Sequence, residues 1–256
     1  MKNRFILSPS FLDEVVPELE TLATSDWVIN KPSLPGGDKQ TRISHINGSI
    51  ADFVTETIHA GKRPVSIAGD CCKAIGVLAG LQRAGVNPFL IWFDAHGDFN
   101  TWETTPTGFL GGMPLAMIVG RGEQTITEAV GLRPLPETQV ILTDARDLDP
   151  GERKLVKESA ILHLDHPEIL IAHSLPDMPL YIHFDTDIVN PNEAPAMNYP
   201  ASGGLSVAEI QNIFRYLAQN SQIVAVSMST WNPKFDKNGQ SQKVCMMLFQ
   251  SLLEYD

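Results

Sequence analysis

Short apolar runs rich in β-branched and aromatic residues recur at 64–69 (PVSIAG), 88–94 (PFLIWFD), 139–145 (QVILTDA), 180–185 (LYIHFD) and 222–229 (QIVAVSMS), each bounded by turn-forming residues. Runs of this length and composition predict buried strands. Between them, apolar positions recur at helical spacing over 45–60, 72–84, 111–130, 150–160 and 206–219, and again in the closing run SQKVCMMLFQSLLEY at 241–255. Ser206 with Glu209 three residues on makes a capping box for the fifth of these helices. Strand and helix alternate throughout, which predicts an α/β fold with a mostly parallel sheet flanked by helices on both faces. No stretch reads as a linker, a repeat or a low-complexity tract, and 256 residues suit one domain spanning 1–256.

Two connections, 97–112 and 186–205, are long, rich in Gly, Pro and Thr, and each follows a predicted strand. They should lie beyond the carboxyl ends of the strands, where open α/β sheets bind ligands. Composition narrows what such a ligand can be. The formal net charge of −11 sets the surface against nucleic acid and anionic membranes, so a small molecule is the expected partner. No run reaches the length of a membrane span, and the apolar stretch near the start is too short for a secretory signal. Cys71 and Cys72 are adjacent and Cys245 is distant, so no disulfide framework can be read and the cytoplasm is the expected compartment.

Three strand ends carry the chemistry. AGDCC supplies Asp70, Cys71 and Cys72; FDAHGD supplies Asp94, His96 and Asp98; HFDTD supplies Asp185 and Asp187. In an extended segment, residues at i, i+2 and i+4 share a face, so each set is expected to converge on one crevice. Carboxylates gathered in this way raise one another's pKa unless a cation neutralises them. Carboxylate with imidazole suits manganese, iron or zinc, and this many donors suggests two metal ions sharing aspartates. His183 alternates with Asp185 and is expected to reach the crevice mouth as a substrate contact. The other histidines, among them His45, His59, His163, His166 and His173, have spacings that suit solvent-facing or packing roles.

The stretches DAHGDFNT, TTPTGFLGGMP and HFDTDIVNP with SGGLS resemble the ureohydrolases, the family of arginases, agmatinases and formiminoglutamases, from about Val65 to Pro233. The resemblance implies a three-layer arginase-like fold, a homo-oligomer (trimer or hexamer), and two divalent ions, manganese before zinc or iron, about a bridging hydroxide that attacks a guanidino carbon. Carried over by position, Cys71, Asp94, His96, Asp98, Asp185 and Asp187 would be the metal ligands. Asp98 would also orient the nucleophile and pass its proton to the departing amine. Asn100 and Thr107 match positions that hold a substrate carboxylate, and Asp149 matches one that holds an α-amino group.

The chain also departs from the family's pattern. Cys71 replaces a histidine ligand. It is read either as a thiolate, softer than imidazole and favouring zinc or iron, or as a small buried residue that leaves the first metal position weak or empty. Gly111 stands where arginases carry a proton-shuttling histidine, and Thr230 where a carboxylate holds the guanidinium group. Trp231 suits either a pocket wall or a wedge under the last strand, Asp149 also suits the N-cap of a helix opened by Pro150, and Asn100 also suits a loop brace. A retained amino-acid end beside an altered guanidine end resembles the branch that hydrolyses Nω-hydroxy-arginine, whose head group is less basic. The alternatives are an amidinohydrolase for another guanidino acid, a single-metal amide hydrolase of the deacetylase type, and a binding protein that kept the fold without catalysis.

Overall fold

The computed structural model describes residues 1–254. Its strands are β1 (Asn3–Ser8), β2 (Ser10–Phe11), β3 (Glu14–Val15), β4 (Val28–Ile29), β5 (Arg63–Ala68), β6 (Phe89–Asp94), β7 (Val140–Asp144), β8 (Leu162–Leu164), β9 (Leu180–Asp185) and β10 (Ile223–Ser229). Eight of them form one sheet in the order β4-β1-β5-β10-β9-β6-β7-β8, and every pairing in it is parallel. β2 and β3 make a separate small hairpin.

The helices are α1 (Lys39–His59), α2 (Ala74–Arg83), α3 (Pro114–Ile118), α4 (Thr125–Ala129), α5 (Pro150–Glu158), α6 (Val207–Asn220) and α7 (Gln240–Ser251). Strand alternation sorts them into two layers. In β6, Leu90 and Trp92 join a core with residues of α1 to α5, whereas Phe89, Ile91 and Phe93 join a second core with α6 and α7. The three-layer α/β prediction therefore holds. Among the described residues no helix is long and apolar enough to cross a membrane.

Three sequence expectations change. The helix predicted over 111–130 is broken into α3 and α4, because Gly120 and Gly122 adopt φ of +84° and +61°, outside helical space. α1 starts earlier than the pattern suggested, at Lys39, where Asp38 accepts a hydrogen bond from Thr41 N at 2.8 Å. β1 and β8 were not among the predicted strands, yet both belong to the main sheet. Tyr255, the end of the closing apolar run, lies outside the described residues.

β5 and β6, consecutive in the chain's main sheet, are separated in space by β10 and β9. The order reverses there, and in parallel sheets such a reversal opens a crevice beyond the strand ends. The ends of β5, β9 and β6 are the three that carry the Asp, His and Cys motifs.

Candidate metal centre

At the end of β6 the chain leaves extended conformation, so the three donors of this motif converge by a turn and not by strand alternation. Asp98 has φ +50°, a left-handed conformation that Asp tolerates better than most residues. Its backbone oxygen accepts from Leu115 N and Ala116 N at 2.9 and 3.1 Å, which fixes the turn against the start of α3. Gly97 is needed beside it, because a Cβ there would lie 2.6 Å from Glu152 Oε1. The β9 motif likewise turns: Asp187 follows in a short 3-10 turn, and its N–H donates to Asp185 Oδ1 at 2.9 Å.

These turns bring the predicted donors into two groups that share Asp94. Ligand atoms of Cys71, Asp94 and Asp98 lie within 4.8 Å of one another, as do those of Asp94, His96 and Asp187. A third group, Cys71, His183 and Asp185, meets the same limit. All these residues are buried except His96, which is partly exposed. Asp185 Oδ2 accepts from the Cys71 thiol at 2.7 Å, from the Thr230 hydroxyl, and from Ser229 Oγ at 3.4 Å.

Negative charge is concentrated here and is offset in part by His96. Burial, then Asp94 and Asp185, push Asp98 well above the usual carboxylate range; burial and Asp187 do the same to Asp185, and burial and Asp94 raise Asp187. Burial, then Asp185, Asp98 and Asp94, raise the Cys71 thiol. Burial disfavours the His96 imidazolium, but its contacts with Asp187 (Nδ1 to Oδ2, 3.1 Å) and Asp94 outweigh that and lift it to about 12. In the metal-free chain this imidazolium is the cation held between Asp94 and Asp187. Asp98 Oδ2 is buried and has no hydrogen-bond partner. An orphaned carboxylate oxygen amid like charges fits a cation site, since an unpaired buried acceptor is otherwise costly.

Cys71, His96, Asp98, Asp185 and Asp187 of these groups line the floor of a cavity that is open to solvent, with Asp94 buried among them. Asn100, Thr107, Asp149 and Thr230 line it as the sequence suggested. Asn100 is also a brace, donating to Asp149 Oδ2 at 3.0 Å and accepting from Thr104 Oγ1 at 3.0 Å. Thr230 is a β-branched residue at φ +78°, a strained conformation retained beside its hydroxyl bond to Asp185. Trp231 is a wedge: it packs in the second core and does not line this cavity. Cys72 and Cys245 are packed in the cores. Asp70 contributes to the wall, but its carboxylate accepts from Leu12 N at 2.7 Å and Cys72 N at 3.0 Å and pairs with Lys73.

His183 needs correcting. It does not reach the mouth but lies beneath the floor, 1% exposed, with its ring 3.9 Å from Trp92 and Nδ1 2.7 Å from Ser227 Oγ. Two residues before the strand end is one step deeper in the sheet, on the same face as Asp185.

Sequence reasoning missed Glu152, a buried carboxylate in the cavity wall. Oε1 accepts from Phe99 N at 2.8 Å and Oε2 from Asp149 N at 3.2 Å; burial, against these two bonds, lifts its pKa to about 7. The signal was present: in DPGE, Glu152 is the third helical residue after Asp149, the reciprocal partner of a capping box. Also missed was the aromatic wall of Phe11, Phe109 and Tyr199, with Phe109 5.2 Å from Tyr199 and 6.2 Å from Phe11. A Cβ at Gly111 would lie 2.4 Å from the Phe109 ring, so that ring fills the space a side chain at 111 would need.

The raised carboxylates predict how the metal-free chain responds to pH. Above their ordinary values of 3.8 to 4.5, the folded state binds more protons at Asp98, Asp185, Asp187 and Glu152 than the unfolded chain does, and for Glu152 this extends to about pH 7. Stability must then fall as pH rises. His96 continues the fall above its ordinary 6.5, while His183, lowered to about 3 by burial, opposes it only between 3 and 6.5. Chelator-treated protein is therefore expected to melt at a lower temperature at pH 7.5 than at pH 5, with added divalent metal restoring the loss at pH 7.5. A melting temperature that climbs across this interval without metal would contradict the charge assignment.

Known proteins resemble the chain in sequence and in fold. The family model described as "Arginase family" matches residues 17–254. An arginase of Bacillus subtilis (strain 168) is 32% identical over 243 residues, covering 89% of this chain and 82% of the relative. An N(omega)-hydroxy-L-arginine amidinohydrolase of Streptomyces lavendulae is 27% identical over 251 residues, covering 97% and 85%. Among solved structures, the arginase of Bacillus subtilis superposes with a TM-score of 0.83 at 28% identity, covering 100% of this chain and 99% of the other. A family match over nearly the whole chain, joined to that degree of identity with a full-length relative, establishes that the chain belongs to the arginase family.

Proposed function

We propose that the chain is a metal-dependent amidinohydrolase that cleaves a guanidino carbon–nitrogen bond of an arginine-like amino acid, with Nω-hydroxy-arginine preferred. The observation that carries this reading is the pair of donor groups meeting on Asp94 at the cavity floor, with Asp98 Oδ2 left unpartnered beside them. A single-metal amide hydrolase would use one group and leave the other as uncompensated charge.

Cys71, Asp94, Asp98 and Asp185 would hold one divalent ion, and His96, Asp94, Asp185 and Asp187 the other, manganese at the second position by its harder donors. Two such ions, when bound, supply the Lewis acidity that makes water a nucleophile at neutral pH. Asp98 Oδ2, free of competing hydrogen bonds in the chain, would accept a proton from the attacking water and give it to the departing amine as the carbon–nitrogen bond breaks, so that Nω-hydroxy-arginine and water would yield ornithine and hydroxyurea. Asn100, Thr107 and Asp149 hold the α-carboxylate and α-amino group, with Glu152 fixing the backbone of both Phe99 and Asp149. At the head-group end, the Thr230 hydroxyl is bound to Asp185 and offers no anion, which suits a weakly basic N-hydroxyguanidine better than a guanidinium.

Urea or hydroxyurea release should be compared for Nω-hydroxy-arginine, arginine and agmatine, with manganese and again with zinc. The hydroxylated amino acid is expected to react fastest. Agmatine, lacking a carboxylate to position, is expected to fall behind by about a hundredfold, the scale of a 1 Å misplacement. Preference for agmatine would overturn the amino-acid end of the reading, and hydrolysis of none would overturn the reaction class.

A further inference from the structure

We propose that the chain builds its first metal position from a ligand set of its own, in which His183 Nε2 joins Cys71 Sγ and Asp185, so that this position selects zinc while the Asp94, His96 and Asp187 position takes manganese. The inference rests on the reading of the cavity floor as a two-metal centre.

Ligand atoms of Cys71, His183 and Asp185 lie within 4.8 Å of one another, all in buried residues. The imidazole is held as metal-binding imidazoles generally are, with its far nitrogen tied to a fixed polar partner. Nδ1 lies 2.7 Å from Ser227 Oγ, Ser227 Oγ is in turn 2.7 Å from the Tyr181 hydroxyl, and Trp92 packs on the ring. With Nδ1–H donating to Ser227, the Nε2 lone pair faces the other two donors.

No protein group satisfies that lone pair well. Its partner is Ser229 Oγ at 3.4 Å, which also lies 3.0 Å from Cys71 Sγ and 3.4 Å from Asp185 Oδ2. That hydroxyl has one proton and cannot give it to both His183 Nε2 and Asp185 Oδ2. Cys71 also belongs to the adjoining group with Asp94 and Asp98, where Asp98 Oδ2 is buried and unpartnered. Binding M²⁺ here replaces the thiol proton of Cys71: the sulfur–hydrogen bond is exchanged for a sulfur–metal bond and one H⁺ leaves to buffer. Sulfur, imidazole and carboxylate together form a set suited to zinc, whereas oxygen-rich donors suit manganese.

The test loads metal-free full-length protein with zinc and manganese together and reads the zinc K-edge absorption, which reports the zinc shell alone. One sulfur at about 2.3 Å with imidazole nitrogen is expected. Cobalt substituted for zinc should show a thiolate-to-metal absorption band, and His183→Ala should shift that band and weaken zinc binding by at least about tenfold while manganese still binds once per chain. His183→Gln, closer in volume, guards against a folding defect. A zinc shell with sulfur but no imidazole, or unchanged zinc affinity and cobalt spectrum in both variants, overturns the ligand assignment. Two manganese ions taken up with no zinc preference overturns the selectivity. Failure of the parent protein to bind any divalent metal would instead overturn the two-metal reading on which this inference stands.

Discussion

Asp98→Ala is expected to bind one metal ion fewer per chain and to lose about 4 kcal/mol of transition-state stabilisation, roughly a thousandfold in turnover. Its metal-free form should melt close to the parent's, the relief of repulsion offsetting the cost of Ala at φ +50°. The second half follows from what Asp98 lacks: Oδ2 has no hydrogen-bond partner, and its ionised form is opposed by burial, Asp94 and Asp185. Removing the carboxylate therefore strands no donor and relieves repulsion. Asp185→Ala should lose metal equally but fold less stably, since Cys71, Ser229, Thr230 and Asp187 N–H all donate to that carboxylate. Metal analysis of both purified variants, with melting curves in chelator, distinguishes the two. Full metal content in both would sink the site assignment.

A comparably large loss of stability is expected away from the chemistry, at Lys73→Met. Lys73 is 2% exposed, with Nζ 2.5 Å from Asp70 Oδ2 and 2.6 Å from Leu12 O. Taking away one member of a buried pair leaves a desolvated charge, at a cost of about 3–5 kcal/mol. The urea midpoint should fall accordingly, and adding Asp70→Asn should recover part of the loss because the stranded charge is gone. No recovery in the double variant would mean that packing, not charge, is what Lys73 contributes. Asp70 also accepts from Leu12 N, so the pair anchors the turn between β2 and β3, which places Phe11 in the cavity wall.

The central strands and their acidic ends were legible because burial on both faces writes a strand as an unbroken apolar run, and because aspartates at strand ends are conspicuous against it. β8 was not, being three residues, Leu162–Leu164, of an edge strand in which only Leu164 is buried. β1 was obscured by Asn3 and Arg4, whose side chains are not fully buried. Convergence of Asp94, His96 and Asp98 was foreseen for the wrong reason, since a strand's period cannot anticipate a left-handed residue at position 98. The depth of His183 was readable from its place two residues before the end of β9, since the crevice lies beyond the carboxyl ends of the strands. Phe11 could not have been found at all, because only the tertiary structure brings residue 11 to residues 109 and 199.

The ring of Phe109 over Gly111 bears on how such a pocket can change through descent. A side chain at 111 and the phenyl ring at 109 compete for one volume, so occupying position 111 requires the ring to move. Phe109 is only partly buried, so its ring can swing outward, and what a side chain at 111 displaces is the aromatic wall itself. Position 111 and that wall are alternatives for one volume, and a relay group there would come at the expense of the aromatic lining.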